Sequence, residues 1–80
     1  MSTAERVPGT REQILVLLRR HGRLSAPRLA DLLNISPVGV RRHLGLLELD
    51  GLVESTVEKP KRGRPVAIYR LTDAGLERFP

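Results

Sequence analysis

Two helix-capping serines, Ser25 and Ser36, start helical patterns that stand only two residues apart. That spacing constrains the chain more than any other feature. Ser25 is a good N-cap, and Pro27 falls inside the first turn that follows, where a missing N–H is harmless. Leu29, Ala30 and Leu33 recur on one side of the helix that begins there. Asn34 closes it, because Asn tolerates the left-handed conformation that a sharp turn requires. Only Asn34-Ile35 precede the next cap, Ser36, which Pro37 follows. The next helix is predicted from about Pro37 to Asp50, with Val40, Leu44 and Leu47 on its apolar face and Gly51 as its stop. Two helices joined through a turn of about three or four residues form a helix-turn-helix.

The flanking segments complete the pattern. Thr10 is expected to open the first helix, with Gln13 three residues on as a capping box. Ile14, Leu15, Leu17 and Leu18 form its apolar face, and Arg19-Arg20-His21 sit in its last turn, where cations suit the dipole. Val16 falls off that stripe, and Gly22 ends the helix. Arg23-Leu24 reads as a brief strand or an extended connector. After Gly51 the period changes: Leu52, Val53, Ser55 and Val57 interleave with Glu54, Thr56 and Glu58, which is a strand pattern. A second strand is predicted over Val66 to Leu71, and Thr72 caps a fourth helix from Asp73 to about Phe79. The expected class is α+β: a three-helix core, a β-hairpin wing and a short C-terminal helix, together a winged helix-turn-helix over residues 10–80. Residues 1–9 read as a flexible N-terminal segment closed by Pro8-Gly9.

Charge says what such a fold meets. Of 80 residues, 14 are Lys or Arg and 9 are Asp or Glu, giving a net charge of +5 and a pI near 11.1. All but two of the cations are arginine, whose planar fork fits phosphates and guanine edges. A basic domain favours polyanionic partners, nucleic acid before anionic membrane. Cysteine is absent, so disulfides, thiolate metal sites and a cysteine nucleophile are excluded within this chain. The polar N-terminus is not a signal peptide, and no apolar run approaches a membrane span. A cytoplasmic, nucleoid-associated protein is the expectation, with no membrane partner.

Two constellations carry the chemistry. On a helical wheel Val40, Leu44 and Leu47 fall within about 60° of one another, which leaves Val38, Arg42 and Gly45 opposite, flanked by Gly39 and Arg41. A helix entering a major groove needs small residues for close approach and arginine for a bidentate contact. Ser36 doubles as cap and phosphate donor, because helix N-termini attract phosphates. The second constellation is the hairpin tip, Lys59-Pro60-Lys61-Arg62-Gly63-Arg64-Pro65, where four of the six residues from Lys59 to Arg64 are cationic and none is acidic. A phosphate backbone or narrow minor groove relieves that self-repulsion.

Other reactive residues have plainer roles. His21 lies at a helix end and His43 beside the core edge, and with no cysteine or second nearby His neither points to a metal. Ser25 and Ser36 are caps rather than nucleophiles, because no acid–His pair accompanies them. No phosphate-binding glycine loop is present. No enzyme activity and no cofactor are expected. Leu46 is assigned to ordinary packing, and Leu49, nearly opposite Val40, has no role in this reading.

The segments Leu29-Ala30 through Ile35-Ser36, Val40 to Leu44, and Leu47-Glu48 through Leu52-Val53 resemble bacterial winged-helix regulators of the ArsR-like and DeoR-like type. The tail, Arg62 to Pro65, Tyr69 to Thr72, Ala74-Gly75 and Phe79-Pro80, is similar to the N-terminal domain of regulators related to the iron–sulfur biogenesis repressor. The resemblance spans about residues 10–80. It implies operator binding as a homodimer, with the third helix in the major groove and the wing on flanking DNA. Ser36, Pro37, Val38, Gly39, Arg41 and Arg42 match the recognition segment, and Lys61, Arg62 and Arg64 the wing, beside which stands Lys59. Metal-sensing members carry cysteines that this chain lacks, and iron–sulfur sensors carry theirs in a C-terminal domain. The chain reads as an excised domain or a stand-alone short protein, its early stop favouring excision. The expected function is sequence-specific double-stranded DNA binding by a transcription regulator, as a repressor. Alternatives are a winged helix used for protein contact through Leu46 or Leu49, or RNA or junction binding.

Overall fold

The computed structural model describes residues 9–79, so most of the expected flexible segment, residues 1–8, lies outside the described residues. The elements are α1 (Thr10–His21), β1 (Leu24–Ser25), α2 (Ala26–Leu33), α3 (Pro37–Leu49), β2 (Val53–Glu58), β3 (Val66–Leu71) and α4 (Asp73–Glu77). This is the expected α+β winged helix.

Local chemistry sets most boundaries. Ser25 Oγ accepts from Arg28 N at 3.2 Å, and Ser36 Oγ accepts from Gly39 N at 3.1 Å, so both predicted caps form. Asn34 takes φ 58° and ψ 45°, which reverses the chain between α2 and α3. The first helix differs from expectation. Its N-cap is Gly9, with no side-chain cap bond, and Gly9 O accepts the first helical bond from Gln13 N at 3.0 Å. Thr10 is already helical, one position too far in to cap, so the Thr10–Gln13 capping box does not form.

Every fully buried large side chain lies on a helix: Ile14, Leu15 and Leu18 of α1, Leu29 of α2, and Val40, Leu44 and Leu47 of α3. Burying each such side chain contributes about 1.5–3 kcal/mol. Ala26 and Ala30 let α2 approach closely, and Leu17, Leu33, Tyr69 and Phe79 cover the rim. Leu46 departs from its expected packing: it is 49% exposed, and Leu49 is 84% exposed.

The sheet has the order β1-β3-β2, all antiparallel, with Leu24 opposite Tyr69 and Val53 opposite Leu71. Strand alternation predicts one buried face, yet along β2 only Val53 is buried, and Val57 is 64% exposed. The hairpin outruns the helices that would cover it. Its inner face is therefore core at Val53 and Leu71 and open surface at Val57. The short strand is Leu24–Ser25, one residue later than Arg23-Leu24, because β3 pairs with it there.

Helix α4 is shorter than predicted and is docked by Thr72. Thr72 Oγ1 donates to Gly51 O at 2.6 Å and accepts from Gly75 N at 3.1 Å, while Thr72 N donates to Leu52 O at 3.0 Å. Gly75 lies against the Leu52 carbonyl, and a Cβ there would overlap that oxygen and crowd Leu71 Cδ2 at 3.1 Å. Gly75→Ala is expected to destabilise the domain by about 1–3 kcal/mol, as overpacking does, which lowers the melting temperature by roughly 4–8 °C per kcal/mol. Gly45→Ala, in open space on α3, is the control and leaves stability unchanged or raised. Thermal melts followed by circular dichroism check both.

Candidate nucleic-acid interface

The core stripe of α3 decides what the helix offers outward. With Val40, Leu44 and Leu47 buried, Val38 stands 74% exposed and Arg41 and Arg42 are exposed beside it. Gly39 and Gly45 are half-buried, so the N-terminal half of α3 has a low profile broken by two guanidinium groups. Pro37 is exposed in the first turn and Ser36 sits at its cap. His43 is half-buried at the edge of the stripe. Between β2 and β3, Lys59, Lys61, Arg62 and Arg64 are all exposed, and Gly63 turns the loop at φ 94°.

Ion pairing engages four arginines of the frame and none of the cations of α3 or the wing loop, among the described residues. Arg11 binds Asp50 at 2.6 Å, Arg70 binds Glu54 at 2.6 Å, Arg78 binds Glu12 at 2.7 Å, and Arg23 binds Glu58 at the foot of the hairpin loop. These pairs link one scaffold element to another. Arg41, Arg42, Lys59, Lys61, Arg62 and Arg64 have no acidic partner among the described residues. Four carboxylates are engaged by the frame, where Arg19, Arg20 and Arg28 also lack an acidic partner among the described residues, and α3 and the wing keep their positive charge uncancelled. Exposed pairs of this kind add at most about 1 kcal/mol each, so the partition matters more for the field than for stability.

Helix α3 and the hairpin are also tied together. Ser55 Oγ donates to Glu48 Oε2 at 3.1 Å, and Ser55 sits opposite Tyr69 in the β2–β3 ladder. Burial pushes the Tyr69 hydroxyl above its ordinary 10.0, the nearby Glu48 carboxylate adds to the rise, and Arg41 opposes it. A crevice of about 160 Å³ lies between α3, the first turn of α2 and the wing, with Arg41 and Tyr69 among its walls. Among the described residues no group of three or more His, Cys, Asp or Glu could hold a metal ion, and no helix is long and apolar enough to cross a membrane.

Residues 9–54 match the sequence pattern of the family described as winged helix-turn-helix DNA-binding. The chain belongs to that family. The family is one of DNA-binding domains and not of enzymes. Solved structures agree in fold. An apo-form mutant of ZitR from Lactococcus lactis superposes with a TM-score of 0.76 at 29% identity, over 94% of this chain and 55% of that one. The adhesin competence repressor AdcR of Streptococcus pyogenes gives 0.75 at 31% identity, over 91% and 54%. PadR of Bacillus subtilis, solved in complex with operator DNA, gives 0.76 at 21% identity, over 85% and 42%, a likeness of fold alone. The winged-helix domain spans about half the length of these regulators. No curated protein matches it by sequence.

The residues singled out from the sequence are exposed, save the half-buried Gly39, and form two patches, on α3 and on the wing loop, that meet where Arg41 and Pro65 line one crevice. Two residues escaped that reading. Arg28 is exposed and unpaired in the first turn of α2, beside Pro27 on the crevice. A cation there opposes the helix dipole, and that mismatch was a readable signal. Tyr69 looked like an aromatic strand residue, and nothing in its spacing shows that it meets α3. As the sole tyrosine it can be titrated alone. Tyrosinate absorbance is expected to rise with a midpoint above 10.0 in the folded domain and to fall back toward that value in urea. A raised folded pKa means that this contribution to stability is intact below about pH 10 and is lost as pH rises through the folded value.

Proposed function

We propose that this domain reads double-stranded DNA sequence-specifically as the operator-binding part of a transcription repressor. Helix α3, from its Ser36 cap to residue 50, lies in the major groove, and the wing loop 59–65 follows the flanking backbone or minor groove. One observation carries the reading: no cation of α3 or the wing loop has an acidic partner among the described residues, whereas four frame arginines, Arg11, Arg23, Arg70 and Arg78, are matched to carboxylates.

Roles follow from position. Pro37, Val38 and Gly39 make a low, mostly apolar leading edge that admits close approach to base edges, Val38 meeting thymine methyls. Arg42, on the outermost face, reads a base pair, with guanine O6 and N7 the acceptors that match its fork. Ser36 and the first turn of α3 offer a donor and a dipole to a phosphate. Arg28, Lys59, Lys61, Arg62 and Arg64 supply phosphate contacts that position the domain without reading sequence. Two proteins of the same fold, PadR of Bacillus subtilis and a mutant MarR from E. coli, are solved in complex with operator DNA, which supports duplex DNA as the partner. A homodimer would place two such helices on half-sites about one helical turn apart, and the cytoplasmic nucleoid is where the partner lies. A second reading rests on Leu46 and Leu49, whose exposure on α3 fits a protein contact.

Selection of duplexes from a random library by this chain is expected to enrich one motif, and an inverted repeat within it would show the dimer. Arg42→Ala is expected to reduce the preference for the selected duplex by about 10- to 100-fold, the worth of one bidentate base contact. Alanine at all four wing cations weakens every duplex alike and flattens the salt dependence by about 0.9 per lost phosphate contact. An unchanged preference after Arg42→Ala overturns the placement of α3. No duplex binding at low salt, with a protein partner captured through Leu46 and Leu49, favours the second reading.

A further inference from the structure

The adjacent arginines of α3 point about 100° apart, and their surroundings differ accordingly. Arg41 shares a stripe of the helix with Glu48, seven positions on. That stripe faces the hairpin, because Glu48 is held by Ser55 and Ser55 is the ladder partner of Tyr69. Near the N-terminal end of the same stripe, Arg41 opens on the crevice of about 160 Å³ between α3, the first turn of α2 and the wing, with Pro27 and Pro65 at its sides and Tyr69 in its wall.

Two donors therefore share one recess. The Arg41 guanidinium has no ion pair, and the Tyr69 hydroxyl has no hydrogen bond, among the described residues. No carboxylate lines the crevice. Glu48 lies roughly 10 Å further along the helix axis and is engaged by Ser55. A phenol is protonated, and so a donor, at neutral pH, and burial with the Glu48 charge moves the Tyr69 pKa further from neutrality. A recess with one fixed cation, one neutral hydroxyl and rigid proline sides suits a single tetrahedral anion.

The geometry points to a seat for one DNA backbone phosphate in this crevice, held by the Arg41 guanidinium and the Tyr69 hydroxyl where recognition helix meets wing. Arg41 is then a positioning residue that sets the depth and angle of α3, and base reading falls to Arg42. The inference rests on the duplex-binding reading above and divides the labour within it.

The test uses the full chain, the duplex enriched by selection and a scrambled duplex of equal length, over a salt series. Arg41→Ala is expected to weaken both duplexes equally, by about tenfold or more, and to lower the salt slope by about 0.9. Arg41→Lys retains that slope. Tyr69→Phe keeps the ring and the fold, and weakens both duplexes by roughly two- to tenfold, the worth of one hydrogen bond, with the slope unchanged. Among duplexes carrying single neutral methylphosphonates, one position reduces affinity for the unaltered protein and leaves Arg41→Ala unaffected, a coupling that general loss of structure cannot produce. The seat is overturned by an Arg41→Ala variant that keeps the full slope while losing sequence preference, by a Tyr69→Phe variant indistinguishable from the unaltered protein, or by no methylphosphonate position showing that coupling. Absence of binding to either duplex at low salt overturns this proposal and the DNA-reading function together.

Discussion

The packing of Val40, Leu44 and Leu47 against Ile14, Leu15, Leu18 and Leu29 is the contact on which the rest of the molecule depends. A helix has one rotation about its axis, and burying one stripe fixes where every other residue points. Once those three side chains are removed from water, Val38, Arg41 and Arg42 have no choice but to face outward. The recognition surface is thus a consequence of the core. A change that turned α3 by even one residue would bury a guanidinium or expose a leucine, and either costs several kcal/mol.

Charge is organised by the same frame. Four carboxylates hold elements together: Glu12 anchors Arg78, just after α4, Asp50 anchors α1, and Glu54 and Glu58 brace the hairpin through Arg70 and Arg23. None of these exposed pairs contributes much stability alone. Their joint effect is spatial, because they neutralise four arginines of the frame and leave every cation of α3 and the wing loop to contribute to the positive field. Steering of a polyanion depends on that residual field and not on the total of +5.

Much of this was legible in the residues. Ser25, Ser36 and Thr72 are short-range caps, and Asn34 is a left-handed turn residue, so their outcomes depend on neighbours three or four positions away. The α3 stripe was legible for the same reason, as was the exposed wing, whose run of cations cannot be buried. Where reading failed, distance in the chain was the cause everywhere but at the start of α1, a shift of one residue. Thr10 looks like a cap until Gly9 supplies the first carbonyl. The alternation of β2 promises a buried face, and only the reach of the helices decides that Val57 has nothing to pack against. Gly75 is unremarkable until Leu52 is brought against it.

The order of elements, the caps of α2, α3 and α4, the outward face of the recognition helix and the cationic loop were determined by the sequence alone, since each follows from local periodicity, capping chemistry or charge. Tertiary structure decided which cations remain unpaired, how far the hairpin extends past the core, and that Tyr69 meets Arg41 and Glu48 beside a crevice. Those outcomes join residues from 16 to 66 positions apart. Such pairs carry no local signature, because side chains distant in sequence come together only when burial of the shared core closes the intervening chain.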